Sequence, residues 1–173
     1  MDSFCRGLFI LTLSVVITSC TTVTERGTKP QGSPPVIKNS FAATEVSHGD
    51  TWKIYLEAND PDGDMRKFVY NIKISERGSG RVNYVHIRKA DRERMLGYLD
   101  VIIAPPETAQ AEWGNLTLTL YIRDRAGNSS EKVAFPVAMT REVKQASPPS
   151  PFNTGELKGV GTIFYEFPVP RGD

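Results

Sequence analysis

The chain has 173 residues and a formal net charge of +1, which suits one domain with tails and gives no overall field that would favour nucleic acid. The hydrophobic fraction is 39%, and the apolar residues are grouped into runs, so an ordered core with polar flanks is predicted. The two cysteines, Cys5 and Cys20, both lie near the N-terminus. This placement excludes a disulfide framework or a thiolate metal site in the body of the protein.

The N-terminal segment has the features of an export signal. Residues 7–18 are apolar or small and follow Arg6. The run is too short to span a bilayer, which needs about 20 residues, but it suits the hydrophobic region of a signal peptide. Residues 1–19 are therefore predicted to be a signal peptide.

The residues at the end of this segment, I-T-S-C over positions 17–20, resemble a bacterial lipobox. The resemblance implies that Cys20 is the lipidation site, that cleavage occurs before it, and that fatty acyl chains such as palmitate anchor the protein to a membrane. A thiol is the nucleophile that such a modification requires. Thr21, rather than an aspartate, follows the cysteine, and for a Gram-negative source this pattern resembles that of lipoproteins sorted to the outer membrane. The alternative is an ordinary signal peptide with a chance cysteine.

A linker is predicted to follow the anchor. Residues 20–35 have no hydrophobic period and are rich in Thr, Gly and Pro, a composition typical of flexible connections. Fully extended, such a segment reaches roughly 50 Å, so the folded part can stand away from the membrane.

The body, residues 36–140, reads as strands, because apolar residues alternate with polar ones and turn residues separate the runs. About seven short strands in this length predict an all-β, immunoglobulin-like Greek-key β-sandwich.

Trp52 and Phe135 are the leading candidates for core aromatics. Pro136 cannot donate a ladder hydrogen bond, so its strand is expected at an edge or with a bulge. Residues 36–38 should form the other edge, and residues 90–96 are compatible with one helical turn. The runs predicted as strands cover residues 51–58, 67–74, 82–88, 98–104, 116–123 and 133–139.

Two stretches carry a resemblance to a known family. The sequence G-D-T-W-K-I-Y-L-E-A-N-D-P-D-G-D starts at Gly49, and L-T-L-T-L-Y-I-R-D-R-A-G-N-S starts at Leu116. Together they resemble bacterial immunoglobulin-like domains of the PKD and cadherin-like kind. The resemblance implies a seven-strand sandwich in which residues 50–58 form the second strand, B, and residues 116–124 form the sixth, F.

In such a sandwich the B and F strands run the same way, so the turns that follow them should meet at one pole. That pole would gather hard oxygen donors of the kind that Ca²⁺ prefers, and cadherin-like domains use related positions for calcium. The alternative is that these are ordinary turn residues, since Asp-Pro-Asp-Gly and Ala-Gly-Asn are common turn sequences. The candidate calcium ligands are Asp60, Asp62, Asp64, Asp124 and Asn128.

No catalytic motif is found in the sequence. The two histidines, His48 and His86, are not spaced as a zinc pair, and no nucleophile elbow or phosphate-binding glycine loop is present. The protein is therefore predicted not to be an enzyme.

The C-terminal tail, residues 141–173, combines a Pro-rich linker with a β-prone segment at residues 162–169. An isolated strand needs a sheet edge or a partner. It could fold back onto the sandwich or add to the sheet of another protein, and we favour a disordered or partner-dependent tail. The candidate partner-binding residues are Ile163, Phe164, Tyr165 and Phe167.

Three functions remain open from the sequence. The first is a lipid-anchored cell-envelope protein with a binding or structural role, whose partner is an envelope protein or glycan. The second is an accessory subunit of an outer-membrane secretion or assembly complex that recruits a partner through its tail. The third is a calcium-dependent adhesion or glycan-binding module.

Overall fold

A computed structural model describes residues 31–74, 80–104 and 115–166. The predicted signal peptide, Cys20 and the first part of the linker lie outside the described residues. Nine strands are formed in these ranges: β1 (Val36–Ala42), β2 (Glu45–Ser47), β3 (Trp52–Asn59), β4 (Met65–Ile74), β5 (Asn83–His86), β6 (Arg94–Ile103), β7 (Leu116–Asp124), β8 (Val133–Thr140) and β9 (Lys158–Tyr165).

The strands form two sheets, with orders β1-β3-β6-β9 and β2-β8-β7-β4-β5. When β1 and β2 are taken as two halves of a split first strand, one sheet has the order first, second, fifth, followed by β9, and the other has the order first, seventh, sixth, third, fourth. This is the Greek-key order of an immunoglobulin-like sandwich, which confirms the predicted fold class. β3 and β7 occupy the B and F positions that the resemblance implied.

The alternating pattern of the sequence translates directly into burial. In β3 the side chains of Trp52, Ile54, Leu56 and Ala58 are buried while those between them are partly exposed, and β7 shows the same alternation. Trp52 is 1% exposed and donates its indole N–H to the carbonyl oxygen of Ala43 at 2.8 Å. Phe135 is buried as well, so both predicted core aromatics are confirmed, and Phe68 joins them.

One of the two expected edges is present, whereas β8, which carries Pro136, lies between β2 and β7 rather than at the edge of its sheet. β1 is the outer strand of its sheet. Pro136 pairs with Thr117 of β7 on one side, whereas β2 pairs with β8 only from Ala138 onward. The missing N–H of Pro136 therefore lies where β8 has no outer neighbour among the described strands, and no ladder hydrogen bond is lost.

The segment predicted as a helical turn differs. A short 3₁₀ helix covers only Lys89–Asp91, and β6 already begins at Arg94, four residues before the expected start. Met95 and Leu99 are buried as in any half-buried strand. The exposed face of β6 also carries apolar side chains, including Leu96 and Ile102, so the alternation is hidden in the sequence.

The C-terminal tail is part of the sandwich. β9 pairs in parallel with β6, with Val101 opposite Ile163 and Ile103 opposite Tyr165. For residues 158–165 the structure therefore shows the fold-back alternative rather than the favoured partner-dependent one. The pairing partner lies about sixty positions earlier in the chain, which no local pattern could identify.

Two adjacent tail residues provide a test of this docking. Ile163 is 1% exposed in the core, whereas Phe164 is 71% exposed on the outer face. Ile163→Ala should lower the free energy of unfolding by about 2–4 kcal/mol, since it leaves a cavity between the sheets. Phe164→Ala should change it by less than about 0.5 kcal/mol. Urea denaturation measures both, and equal small effects would show that β9 is not held in the sandwich.

Candidate metal centre

The first turn of the candidate site follows β3. Asp60 comes directly after the strand, and its backbone carbonyl accepts a hydrogen bond from the Gly63 N–H at 3.1 Å. Gly63 has a φ of +68°, a conformation that glycine adopts without steric penalty. The Asp60 carboxylate also accepts, through Oδ1, the N–H of Asp62 at 3.0 Å. This geometry turns the chain tightly and directs the Asp60 side chain inward.

The second turn follows β7 and is organised by Asp124. Its Oδ1 accepts the backbone N–H groups of Gly127 and Asn128 at 2.6 and 2.7 Å. Its Oδ2 accepts the Asn128 amide at 2.8 Å. Gly127 has a φ of +99°, so the turn again depends on a glycine. The Asp124 carboxyl group therefore forms the turn and is held in one orientation.

The two turns meet at one end of the sandwich, as the sequence predicted. In the register of β4 with β7, Met65 lies opposite Asp124, which places the preceding residue, Asp64, beside that carboxylate. The backbone N–H of Arg125 donates to the carbonyl oxygen of Asp64 at 3.2 Å and ties the turns together. One carboxylate oxygen from each of Asp60, Asp64 and Asp124 lies within 4.8 Å of the other two. We call these three residues the acidic pole.

Two residues of the acidic pole are buried, Asp64 is half-buried, and the hydrogen bonds of the group are incomplete. Asp60 is 1% exposed and Asp124 is 2% exposed. Asp60 Oδ2 and Asp64 Oδ1 are both shielded from solvent and accept no hydrogen bond. In the part of the chain that the structure describes, the two ion pairs are Lys53–Asp100 and Arg88–Asp91. Neither of them brings a cation to the pole.

Burial raises the pKa of Asp60 above its ordinary value, and the neighbouring carboxylates of Asp64 and Asp124 raise it further. The hydrogen bond from the Asp62 N–H acts in the opposite direction but does not outweigh them. Like charges held together in a poorly solvated space disfavour ionisation. A bound cation would remove this penalty and complete the coordination of the unpartnered oxygens.

The donor set indicates which cation would fit. Three carboxylates provide hard oxygen ligands, and the described cluster contains neither histidine nor cysteine. Oxygen-only sites suit Ca²⁺ or Mg²⁺, and Ca²⁺ tolerates the irregular geometry of two converging turns better because it accepts 6–8 ligands at variable angles. Water and second carboxylate oxygens would have to complete the shell.

The remaining two candidate ligands lie beside the pole and have other contacts. Asp62 is exposed, and its Oδ2 accepts the backbone N–H of Ser33 at 2.6 Å. Asn128 turns its amide nitrogen toward Asp124 and also donates to the carbonyl oxygen of Gln31 at 3.2 Å. Asp62 and Asn128 thus attach the N-terminal linker to the pole. The linker composition contained no signal that Gln31 and Ser33 would dock there.

The candidate partner-binding residues are divided between the two faces of β9. Ile163 is buried, Phe164 is largely exposed, and Tyr165 is partly exposed and packs against the core. Phe167 lies outside the described residues. The described residues of this set therefore belong to a paired strand rather than to a free recognition peptide.

Comparison with known proteins gives fold-level similarity only. No family model and no curated protein matches the chain. Among solved structures, the chain is similar to the PKD domain of an M14-like peptidase from a Thermoplasmatales archaeon, with 17% identity and a TM-score of 0.37, over 63% of this chain and 98% of that one. It is also similar to a CARDB domain from Pyrococcus furiosus, solved in complex with di-metal ions, with 10% identity and a TM-score of 0.30, over 62% of this chain and 86% of that one.

Among the described residues, no helix has the length and apolar character needed to cross a membrane.

The raised pKa of Asp60 leads to a testable dependence of stability on pH. A carboxyl group whose pKa is higher in the folded than in the unfolded state opposes folding increasingly as the pH rises above its unfolded value. With a chelator present, Asp60→Asn should therefore unfold at higher urea than the unmodified protein at pH 7. The expected gain is about 1 kcal/mol, because the amide carries no charge and can donate to Asp64.

The gain should shrink as the pH falls towards 3.8, the ordinary pKa of an aspartate. Asp62→Asn is the matched control, since Asp62 is exposed and lies in the same turn. A destabilised Asp60→Asn variant at pH 7 in chelator would contradict the description of the pole as electrostatically strained.

Proposed function

We propose that the protein is a non-enzymatic, lipid-anchored cell-envelope protein whose immunoglobulin-like domain binds Ca²⁺ at the acidic pole and has a binding or structural role. The observation that supports the metal site is the pair of buried, unpartnered oxygens, Asp60 Oδ2 and Asp64 Oδ1, beside Asp124. Buried polar atoms are nearly always satisfied, so such a pair calls for a partner.

The turn-only alternative explains part of this geometry. It accounts for both oxygens of Asp124, which are used within the second turn. It also accounts for Asp60 Oδ1, which caps the first turn. In this alternative Asp60 Oδ2 and Asp64 Oδ1 form no turn contact, and their partner would be a proton shared between the two carboxyl groups, a hydrogen bond that raises the pKa of Asp60. Calcium binding gives both oxygens a ligand and neutralises the charge that the fold concentrates there.

A metal at this position would join the two sheets. Asp60 follows β3 of one sheet, and Asp124 ends β7 of the other. An ion shared by both would resist separation of the sheets at that end. A modest affinity is expected, with a dissociation constant of about 0.1–1 mM, as in other extracellular calcium modules.

The proposed anchor is supported by the lipobox at Cys20 and by the course of the chain into the fold. Gln31 and Ser33 contact the acidic pole, so the linker enters the domain at that end. The eleven Cα-to-Cα steps from Cys20 to Gln31 span at most roughly 40 Å. In this proposal the acidic pole is the end of the sandwich that faces the membrane.

Calcium titration tests the metal site. At a concentration 100 times the dissociation constant, a single bound ion stabilises the folded state by about 2.7 kcal/mol. The melting temperature of the unmodified protein should rise accordingly, with binding heat in calorimetry. Asp60→Asn and Asp64→Asn should lose most of this response, whereas Asp62→Asn should keep it. No heat and no thermal shift in 10 mM Ca²⁺, about ten times the weakest expected dissociation constant, would refute calcium binding.

Mass spectrometry of the full chain expressed in a bacterium tests the anchor. The N-terminal peptide should begin at Cys20 and carry a diacylglyceryl group and an acyl chain. Cys20→Ala should abolish the modification, whereas Cys5→Ala should leave it intact, because Cys5 lies within the segment predicted to be removed. An unmodified N-terminus on the exported protein would refute the anchor and leave the calcium proposal unaffected.

A further inference from the structure

The outer face of the four-stranded sheet carries a row of aromatic side chains. Phe41, Tyr55 and Tyr98 are direct cross-strand neighbours in β1, β3 and β6. Their ring centroids are 6.1 Å apart for the first pair and 5.9 Å for the second. Cross-strand aromatic pairs stabilise a sheet. Their position on the face away from the core leaves the rings accessible from outside.

The segment between β8 and β9 builds a second wall over this row. Phe152 is 3% exposed, and its ring lies 5.7 Å from that of Tyr55. Its backbone N–H donates to the carbonyl oxygen of Pro149 at 2.7 Å. The space between segment and sheet is an open pocket of about 430 Å³, within the size range of small-ligand sites. It is lined mainly by Lys53, Tyr55, Tyr98, Phe152, Asn153 and Thr154.

The charges at the pocket are already balanced. Lys53 Nζ lies 3.0 Å from Asp100 Oδ1 and 3.5 Å from the centre of the Tyr98 ring. Partial burial lowers the pKa of Lys53, but the hydrogen bond and charge of Asp100, together with Tyr98, outweigh burial, so its pKa is raised. Lys53 therefore stays protonated and paired, and it fixes the orientation of the Tyr98 ring.

Gly159 does not itself line the pocket, but it lies beside Tyr98, which does. Tyr98 lies opposite Gly159 of β9, and a Cβ atom at that position would lie 3.5 Å from Tyr98 Cε2 and 3.8 Å from Asp100 Oδ2. These are ordinary contacts, and the Gly159 backbone is not in the left-handed region. By contrast, a Cβ at Gly97 or Gly161 would approach its nearest neighbour to 2.5 or 2.6 Å. Close packing explains why positions 97 and 161 hold glycine. Packing does not require glycine at position 159, where the absence of a side chain leaves space beside Tyr98 and Asp100.

We propose that this pocket binds a saccharide, with a pyranose ring packed against the parts of the Tyr55 and Tyr98 rings that line the pocket. The negative face of an aromatic ring attracts the polarised C–H groups of a sugar. Lys53, Asn153 and Thr154 supply the polar groups that its hydroxyls would contact. This function goes beyond the proposed calcium site, which lies elsewhere on the sandwich.

Other ligand classes fit the pocket less well. Asp100 already neutralises Lys53, so an anion gains little there. A cation would be repelled by the ammonium group that occupies the Tyr98 ring. A purely apolar ligand would bury the Lys53–Asp100 pair without a compensating contact. A neutral ligand with both C–H faces and hydroxyl groups matches the rings and the polar groups together.

Saturation-transfer NMR and calorimetry with the folded chain can test the proposal, using cellobiose, N,N′-diacetylchitobiose, maltotriose and soluble peptidoglycan fragments as probes. At least one probe should bind, and Gly159→Leu, which places a side chain over Tyr98, should weaken that binding by at least about tenfold. Thr162→Leu is the matched control, because Thr162 is exposed on the same strand but lies opposite Asp100 rather than the pocket residue Tyr98. It should change the affinity by less than about twofold.

Melting temperatures establish that both variants fold, and Tyr98→Leu replaces Gly159→Leu if the latter does not. Binding should persist in Asp60→Asn and in the presence of a chelator, which separates this site from the acidic pole. No saturation transfer from any probe, or equal binding by Gly159→Leu and the unmodified protein, would overturn the proposal. Binding of a proline-rich peptide at the same residues in place of every saccharide would overturn it as well.

Discussion

The burial of every second side chain between two sheets is the constraint on which the rest of the structure depends. In β3 and β7 this alternation is unbroken from the first residue of each strand. A strand with one fully apolar face can pair in only one register without exposing that face. The register of β4 with β7 places Met65 opposite Asp124, and the positions of Asp60 and Asp64 follow from it. The acidic pole is thus a consequence of core packing, and its geometry does not require a metal to form.

The same packing makes the pole electrostatically costly. Asp60 and Asp124 are as buried as many core residues, although carboxylates strongly prefer water. Backbone N–H groups at the two turns compensate for part of this cost, most completely at Asp124. They leave Asp60 Oδ2 and Asp64 Oδ1 without a partner. The turn contact of Asp60 uses Oδ1 alone, so the turn does not require Oδ2 to be buried as well. The burial of Asp60 Oδ2 beside Asp64 Oδ1 is the feature that the proposed calcium site would explain.

The sequence allowed the sandwich and the convergence of the two turns to be predicted, because both depend on local alternation and on turn residues. It did not reveal the start of β6, where Leu96 and Ile102 on the outer face mask the alternation. It also could not reveal that β9 pairs with β6. Whether a strand pairs with a sheet of its own chain or with that of another protein depends on residues far away in the sequence. The docking of Ser33 on Asp62 is a single contact in a Pro- and Gly-rich segment. Such contacts leave no periodic trace in a sequence.

The two chain extensions are what distinguish this domain from a plain sandwich. β9 adds a fourth strand to one sheet, and the buried side chains of Val160 and Ile163 hold it there. Once β9 is fixed at one end and β8 at the other, the segment between them must cross the outer face of β3 and β6. Phe152 then packs on Tyr55, and a pocket results where an open sheet face would otherwise be.

The N-terminal linker packs at the acidic pole, because Gln31 and Ser33 contact Asn128 and Asp62 beside it. Each proposed site therefore combines a rigid sheet element with a segment from one end of the chain. Ligands at either site would be expected to act first on those segments, since a segment held by a few hydrogen bonds opens more readily than a strand in the core.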